Sequence, residues 1–330
     1  MKAEEAFELL KSEGRERLTA VEIERLGKEE CRKAILKVIF YQDLDFVSIA
    51  GGAELTDRAH FIAGIRRGHD ITLVTPSTPD PDIAFAPADL VIVSNASMFQ
   101  PAVFQRLQEL GRHYVMFLHD YWFRCQYRLF YPMVPRCMQC HYREQWLPAL
   151  LGARFIIWLS PLHRESWLKM TPELTDKPYA LVPSPVSSKE FFDMGLPRKG
   201  VIAVNSMLAF KGRKNIIRWI EEHPDQQVTL VGADDNPGDL LPPNAHRVAR
   251  VPQHELNDVY NRHEAFLHLP NSPMPFDRTC AEAYLAGCHV IGNELVGALS
   301  WPFFKEGREA VAEALADAPN QFWKVVEGCL

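Results

Sequence analysis

The chain alternates short, almost wholly apolar runs with amphipathic stretches, and this alternation limits the fold more than any other feature. Runs at 36–41 (LKVIFY), 70–76 (DITLVTP), 88–95 (ADLVIVSN), 113–119 (HYVMFLH), 155–161 (FIIWLSP) and 179–185 (YALVPSP) read as strands without a polar face. Such strands must be covered on both sides, as in a parallel sheet flanked by helices. Between them, 54–68 places Leu55, Ala59, Ile62 and Ile65 at helical spacing, and 103–111 reads as a further helix. Right-handed crossovers then make 36–190 one doubly wound domain.

The series restarts after a segment rich in Pro, Gly and Ser, 183–200 (PSPVSSKEFFDMGLPRKG). Strands are predicted at 200–206, 227–233, 246–252, 265–271 and 289–294, and helices at 215–224, 254–263 and 279–287. Residues 191–330 are therefore expected to form a second α/β domain whose last helix packs back on the first. Residues 1–35 read as a helical extension, with Thr19 and Glu22 as a capping box and Gly27 as a stop. The expected architecture is α/β: two facing doubly wound, Rossmann-like domains. Ligands bind outside the carboxyl ends of parallel strands, so two such edges enclose an interdomain cleft.

Composition narrows the class. With 47% apolar and 24% charged residues, 330 residues supply two cores and exclude a disordered chain. A net charge of −6 argues against a protein that coats nucleic acid. That charge is an average, since 121–170 holds seven Lys/Arg against two Asp/Glu and is dense in aromatics, whereas 191–330 holds 13 against 18. The first residues lack the apolar stretch of a signal peptide, and the most apolar window, 147–162, is broken by Arg154. Seven cysteines without a secretion signal read as reduced thiols, which points to a cytoplasmic protein, with peripheral membrane contact through the basic segment left open.

Polar residues at the predicted carboxyl edges are the candidate site. Gly51 and Gly52 open a helix after the first strand, where backbone amides and the helix N-terminus suit an anion such as a diphosphate. The spacing is not that of a dinucleotide-binding loop. His119 and Asp120 end the fourth strand, where an imidazole can hydrogen-bond a sugar hydroxyl or move a proton. Lys211, Gly212, Arg213 and Lys214 put three cations between a strand and a helix, which suits phosphate oxygens. Pro275, Phe276, Asp277 and Arg278 precede the helix carrying Glu282, a carboxylate placed to accept hydrogen bonds from ribose. Trp122, Arg124, Tyr127 and Arg128 could line an acceptor groove.

These segments together resemble a family 4 glycosyltransferase of the GT-B fold over roughly residues 36–330. The carriers are GGAELTDRAHFIAGIRRGHDITLVTP, LHDYWFRC, the Lys211–Gly212 step, TLVGADD and MPFDRTCAEAYLAGCHVIG. The resemblance implies retaining transfer from a nucleotide-diphosphate sugar, a UDP- or GDP-sugar, with cations and a helix N-terminus in place of a catalytic metal. Glu282 matches the second of the family's two motif glutamates, Lys211 its phosphate-binding lysine, and His119 its histidine near the donor sugar. The first glutamate falls at Met274 and the family's diphosphate-binding arginine at Ser206, two departures. Arg213, Lys214 or Arg278 stand as replacements for the missing cation. Cys125, Cys137 and Cys140, with His141 adjacent, have spacing that suits a structural zinc, and unligated thiols are the alternative. The acceptor is left open among glycans, lipids and other hydroxyls, including hydroxymethylated bases of viral DNA. An inactive GT-B binding protein and a nucleotide-sugar epimerase are the competing classes.

Overall fold

The computed structural model describes residues 35–329 apart from 45, 47–50, 79–80, 97, 126–140, 205–210 and 233–239. Residues 1–34 of the predicted N-terminal extension, Tyr127, Arg128, Cys137, Cys140, Ser206 and the last three residues of the TLVGADD segment lie outside those residues.

All the predicted strands are present, trimmed at their ends. They are β1 Lys37–Tyr41, β2 Asp70–Val74, β3 Leu90–Ser94, β4 Tyr114–Leu118, β5 Phe155–Trp158, β6 Tyr179–Leu181, β7 Val201–Val204, β8 Val228–Val231, β9 Ala245–Val248, β10 Ala265–His268 and β11 His289–Gly292. The first six form one sheet in the order β2-β1-β3-β4-β5-β6, and the others a second in the order β11-β10-β7-β8-β9. Every pairing is parallel. The central strands β3, β4, β7, β8 and β10 are buried at each position, which is why their sequences carry no polar alternation.

Apart from the single turn Pro81–Ala84, the α-helices among the described residues are α1 Gly52–Arg66, α2 Pro101–Glu109, α3 His141–Gly152, α4 Pro161–Met170, α5 Arg213–Glu222, α6 Leu256–Asn261, α7 Arg278–Leu285 and α8 Arg308–Gly328. Sequence periodicity misses α3 and α4. Pro148 interrupts the first, and the second turns the polar residues His163 and Ser166 inward beside Trp167. In α1 the buried face differs from the predicted one. Leu55, Ala59 and Ile62 are only half-buried, while Glu54, Thr56, Asp57 and His60 point inward with Phe61, Gly64 and Ile65.

One apolar cluster runs through both domains. It joins Phe40, Phe61, Phe117 and Val182 of the first to Ile202, Phe276 and Ala281 of the second, with Phe322 and Trp323 of α8. Helix α8 packs on α1, and Trp323 Nε1 donates to the His60 carbonyl at 2.7 Å. On the other side, Ser160 Oγ donates to Pro275 O at 2.6 Å, the Leu162 amide to Ser300 Oγ at 3.2 Å, and Trp301 Nε1 to Leu159 O at 3.0 Å. The loop after β5 is thereby fixed to the loops after β10 and β11. No helix among the described residues is long and apolar enough to cross a membrane.

Candidate functional site

Helix α7 anchors the second-domain half of the site. Its N-cap, Asp277, has φ +70°, a left-handed conformation that is rare outside glycine and asparagine. Asp277 Oδ2 lies 3.1 Å from His268 Nε2 at the end of β10, an ion-pair distance without hydrogen-bond alignment. The left-handed turn directs the next residue, Arg278, across the domain boundary. Its guanidinium donates to Ser184 Oγ at 3.1 Å and to the Pro185 carbonyl, both in the segment joining the domains. The Arg278 side chain also lies against Gly52, where an added Cβ would stand 3.7 Å from its Cδ. The structure thus brings Gly52 and Arg278, 226 positions apart in sequence, to one place.

Glu282 sits one turn into α7 and is 2% exposed. Its Oε1 accepts from Gln253 Nε2 at 3.0 Å and lies 3.5 Å from Arg278 Nε. Its Oε2 is buried with no hydrogen-bond partner. Burial raises the Glu282 carboxyl above the ordinary range, and the Arg278 charge opposes that shift. A buried carboxylate oxygen without a donor is costly. Met274, where the first motif glutamate was expected, is buried apolar contact with its amide on Leu295 O.

The Lys211–Lys214 turn is fixed by geometry that only glycine permits. Gly212 has φ +90°, and a Cβ there would stand 1.8 Å from Leu269 O. Asn215 Nδ2 donates to the same carbonyl at 3.0 Å. The start of α5 is therefore held against the chain leaving β10, with Lys211 and Arg213 half-buried and Lys214 exposed.

In the first domain Gly51 caps α1, and the Glu54 carboxylate folds back so closely that a Cβ on Gly51 would stand 2.1 Å from it. His119 follows β4 and is buried, its Nε2 2.9 Å from Asp57 Oδ1 and 2.8 Å from Ser94 Oγ. Burial alone would depress the imidazole. The Asp57 carboxylate outweighs it, with help from Glu54 and Asp120, and holds His119 above its ordinary value. Asp120 does local work, since its Oδ1 accepts from the Trp122 amide at 2.7 Å and its carbonyl from Trp167 Nε1 at 3.1 Å.

Asp57, Ser94, Ser184 and Gln253 were not singled out from the sequence. For Asp57 a signal existed, because acidic residues at 54 and 57 share a helix with His60 at turn spacing. Of the acceptor-side candidates, Arg124 is 4% exposed and its Nε donates to Met170 O at 3.2 Å, so this guanidinium lies inside the domain. Trp122 is half-buried. Cys125 is a free thiol and His141 is exposed. No group of three metal-ligating side chains occurs among the described residues, and two of the four zinc candidates lie outside them. A cavity of about 450 Å³ opens between Leu162, Ser166 and Lys169 of α4 and Asn271, Pro273 and Glu294 of the second domain.

Residues 213–329 match a family model described as glycosyl transferase-like. Similar solved structures cover nearly the whole chain. Sucrose-phosphate synthase from Thermosynechococcus elongatus is 15% identical with a TM-score of 0.59, covering 88% of this chain and 94% of its own. HepE from Anabaena, solved with UDP and glucose, is 14% identical with a TM-score of 0.56, over 89% and 100%. The chain has the GT-B fold of these structures. An α-glucosyltransferase solved with UDP and a 13-mer DNA containing a HMU base shares the fold at 12% identity and a TM-score of 0.52, over 90% and 94%. No curated protein matches the sequence.

Proposed function

We propose that the chain transfers a sugar from a UDP-sugar to an acceptor hydroxyl, with retention at the anomeric carbon. The buried, unpartnered Glu282 Oε2 at the start of α7, beside Arg278, whose side chain lies against Gly52, carries this reading. Glu282 accepts the ribose hydroxyls. The amides at the starts of α1 and α7, with Arg278 and Lys211, neutralise the diphosphate as it leaves, which lowers the barrier without proton transfer to the leaving group. Arg278 takes the place of the family arginine missing at Ser206. His119 donates to an oxygen of the sugar. UDP is favoured over GDP by HepE, whose structure holds it.

A second reading concerns the acceptor. The DNA-bound α-glucosyltransferase has this fold, so a hydroxymethylated base is one acceptor class beside glycans and lipids. The experiment is a nucleoside-diphosphate thermal-shift panel followed by UDP release from UDP-sugars with glycan, lipid and modified-DNA acceptors. UDP should stabilise the chain, and Glu282→Ala should weaken that binding by at least tenfold. Stabilisation without turnover on any donor favours the inactive binding protein that Met274 suggests. No response to any nucleotide, and none lost in Glu282→Ala, sinks the reading.

A further inference from the structure

Behind His119 lies a closed polar group assembled from three elements. Asp57 comes from α1, Ser94 ends β3, and His119 follows β4, the neighbour of β3 in the sheet. Asp57 is fully buried, and both its carboxylate oxygens take a contact from Ser94 Oγ, at 2.8 and 2.7 Å. His119 Nε2 is 2.9 Å from Asp57 Oδ1 and 2.8 Å from Ser94 Oγ.

Counting protons decides the roles. An ionised carboxylate only accepts, and a hydroxyl has one proton to give. Ser94 spends its proton on Asp57. His119 Nε2 then faces two acceptors and must carry a proton itself, donated to Asp57 Oδ1. That leaves Nδ1 as the ring nitrogen able to meet a ligand, and among the described residues nothing pairs with it. We infer that Asp57, supported by Ser94, is a positioning residue that keeps His119 protonated on Nε2 and leaves Nδ1 to donate, while the ring is an imidazolium, to an oxygen of the donor substrate. The ligand half of this inference rests on the proposed glycosyl transfer, whereas the tautomer does not.

The surrounding charges agree with a single cation at this point. Glu54 on α1 and Asp120 beside His119 favour the imidazolium. His60 on α1 and His163 on α4 are both pushed down, first by burial and also by the charge on His119, so neither competes for the proton. Arg278 on α7 acts on His60 in the same direction.

The test is made on the full chain by 15N NMR of the histidine rings, beside UDP release from a UDP-sugar measured across pH. In the wild type, His119 should titrate above free histidine and show the Nε2–H tautomer once neutral. Asp57→Asn should lower that titration by one pH unit or more. Turnover should then fall about tenfold on the alkaline side, where the imidazolium is lost earlier, with UDP affinity unchanged. A merely structural Asp57 would lower Tm and total activity without moving either titration. If Asp57→Asn fails to fold, the wild-type tautomer decides alone, and an Nδ1–H tautomer or a titration at or below 6.5 overturns the inference. Correct ring titrations in a chain that turns over no UDP-sugar uphold the Asp57–His119 pair and sink the transferase reading instead.

Discussion

His60 is the most anomalous side chain of the core. It is fully buried, stacks on Phe322 at 4.2 Å and meets Phe117 edge-on, yet neither ring nitrogen has a hydrogen-bond partner. Each unpaired polar atom costs on the order of 1 kcal/mol or more. His60→Phe keeps the aromatic contacts and removes that cost, so it should raise the urea midpoint at pH 7 by about 1 kcal/mol of stability. An unchanged or lower midpoint would show that an unseen partner satisfies the ring. His163 makes a related, pH-dependent contribution. Burial pushes its imidazole down to about 3, with its Nδ1 accepting from the Leu159 amide. The native state thus refuses a proton that the unfolded chain takes up near 6.5, so stability should fall as pH drops from 6.5 toward 3, by about 1.4 kcal/mol per unit. His119 runs the other way, because its raised native value gives stability that is present at low pH and lost as pH rises through that value. Denaturation at pH 4, 5 and 6 should show a shallower slope for His163→Leu than for the wild type. His60 and His163, unlike His119, were not legible in the sequence: a period of 3.6 reports apolar faces, and α1 buries four polar residues at its N-terminal end.

The elements were legible wherever burial is two-sided. Central strands need no polar face, so β3, β4 and β10 announce themselves as unbroken apolar runs. Helices α3 and α4 did not, one holding a proline and the other a buried histidine–serine face. The α1–α8 contact depends on a position that composition cannot reveal. Gly64 admits Trp323 so closely that an added Cβ would stand 2.1 Å from the indole. Arg67 closes the contact with paired bonds to Glu327 at 2.8 and 2.9 Å, and His69 meets the same carboxylate at 3.1 Å. Gly64→Ala should therefore destabilise by about 1–3 kcal/mol through overpacking. Trp323→Ala should cost more, about 3–5 kcal/mol, by leaving a cavity and an unbonded His60 carbonyl. Equal losses in the two variants, measured by urea denaturation, would argue that α8 lifts away as a unit in both.

At the scale of the molecule, the two sheets predict two domains, but the packing does not leave them separable. The apolar cluster passes from Phe40 and Phe61 through Val182 and Val186 to Phe276 and Phe322, and α8 returns the end of the chain to the first domain. The Ser160, Leu162 and Trp301 hydrogen bonds tie the opposite side. None of these three hydrogen bonds shows in the sequence, because each joins residues more than 100 positions apart whose types are unremarkable singly. Unfolding should then be one cooperative transition despite the length of the chain. Circular dichroism, which reads both sheets, should share its midpoint with intrinsic fluorescence, to which Trp158 and Trp167 of the first domain and Trp219 of the second contribute. A ligand on the second domain must in that case stabilise the whole. UDP at 100 times its dissociation constant should move both signals together by about 2.7 kcal/mol. Two resolved transitions, with UDP shifting only one of them, would show that the shared core is too weak to couple the domains. The two sheets would then move apart at little cost, and the contacts of Arg278 with Ser184 and Pro185 would be the main tie between α7 and the segment joining the domains.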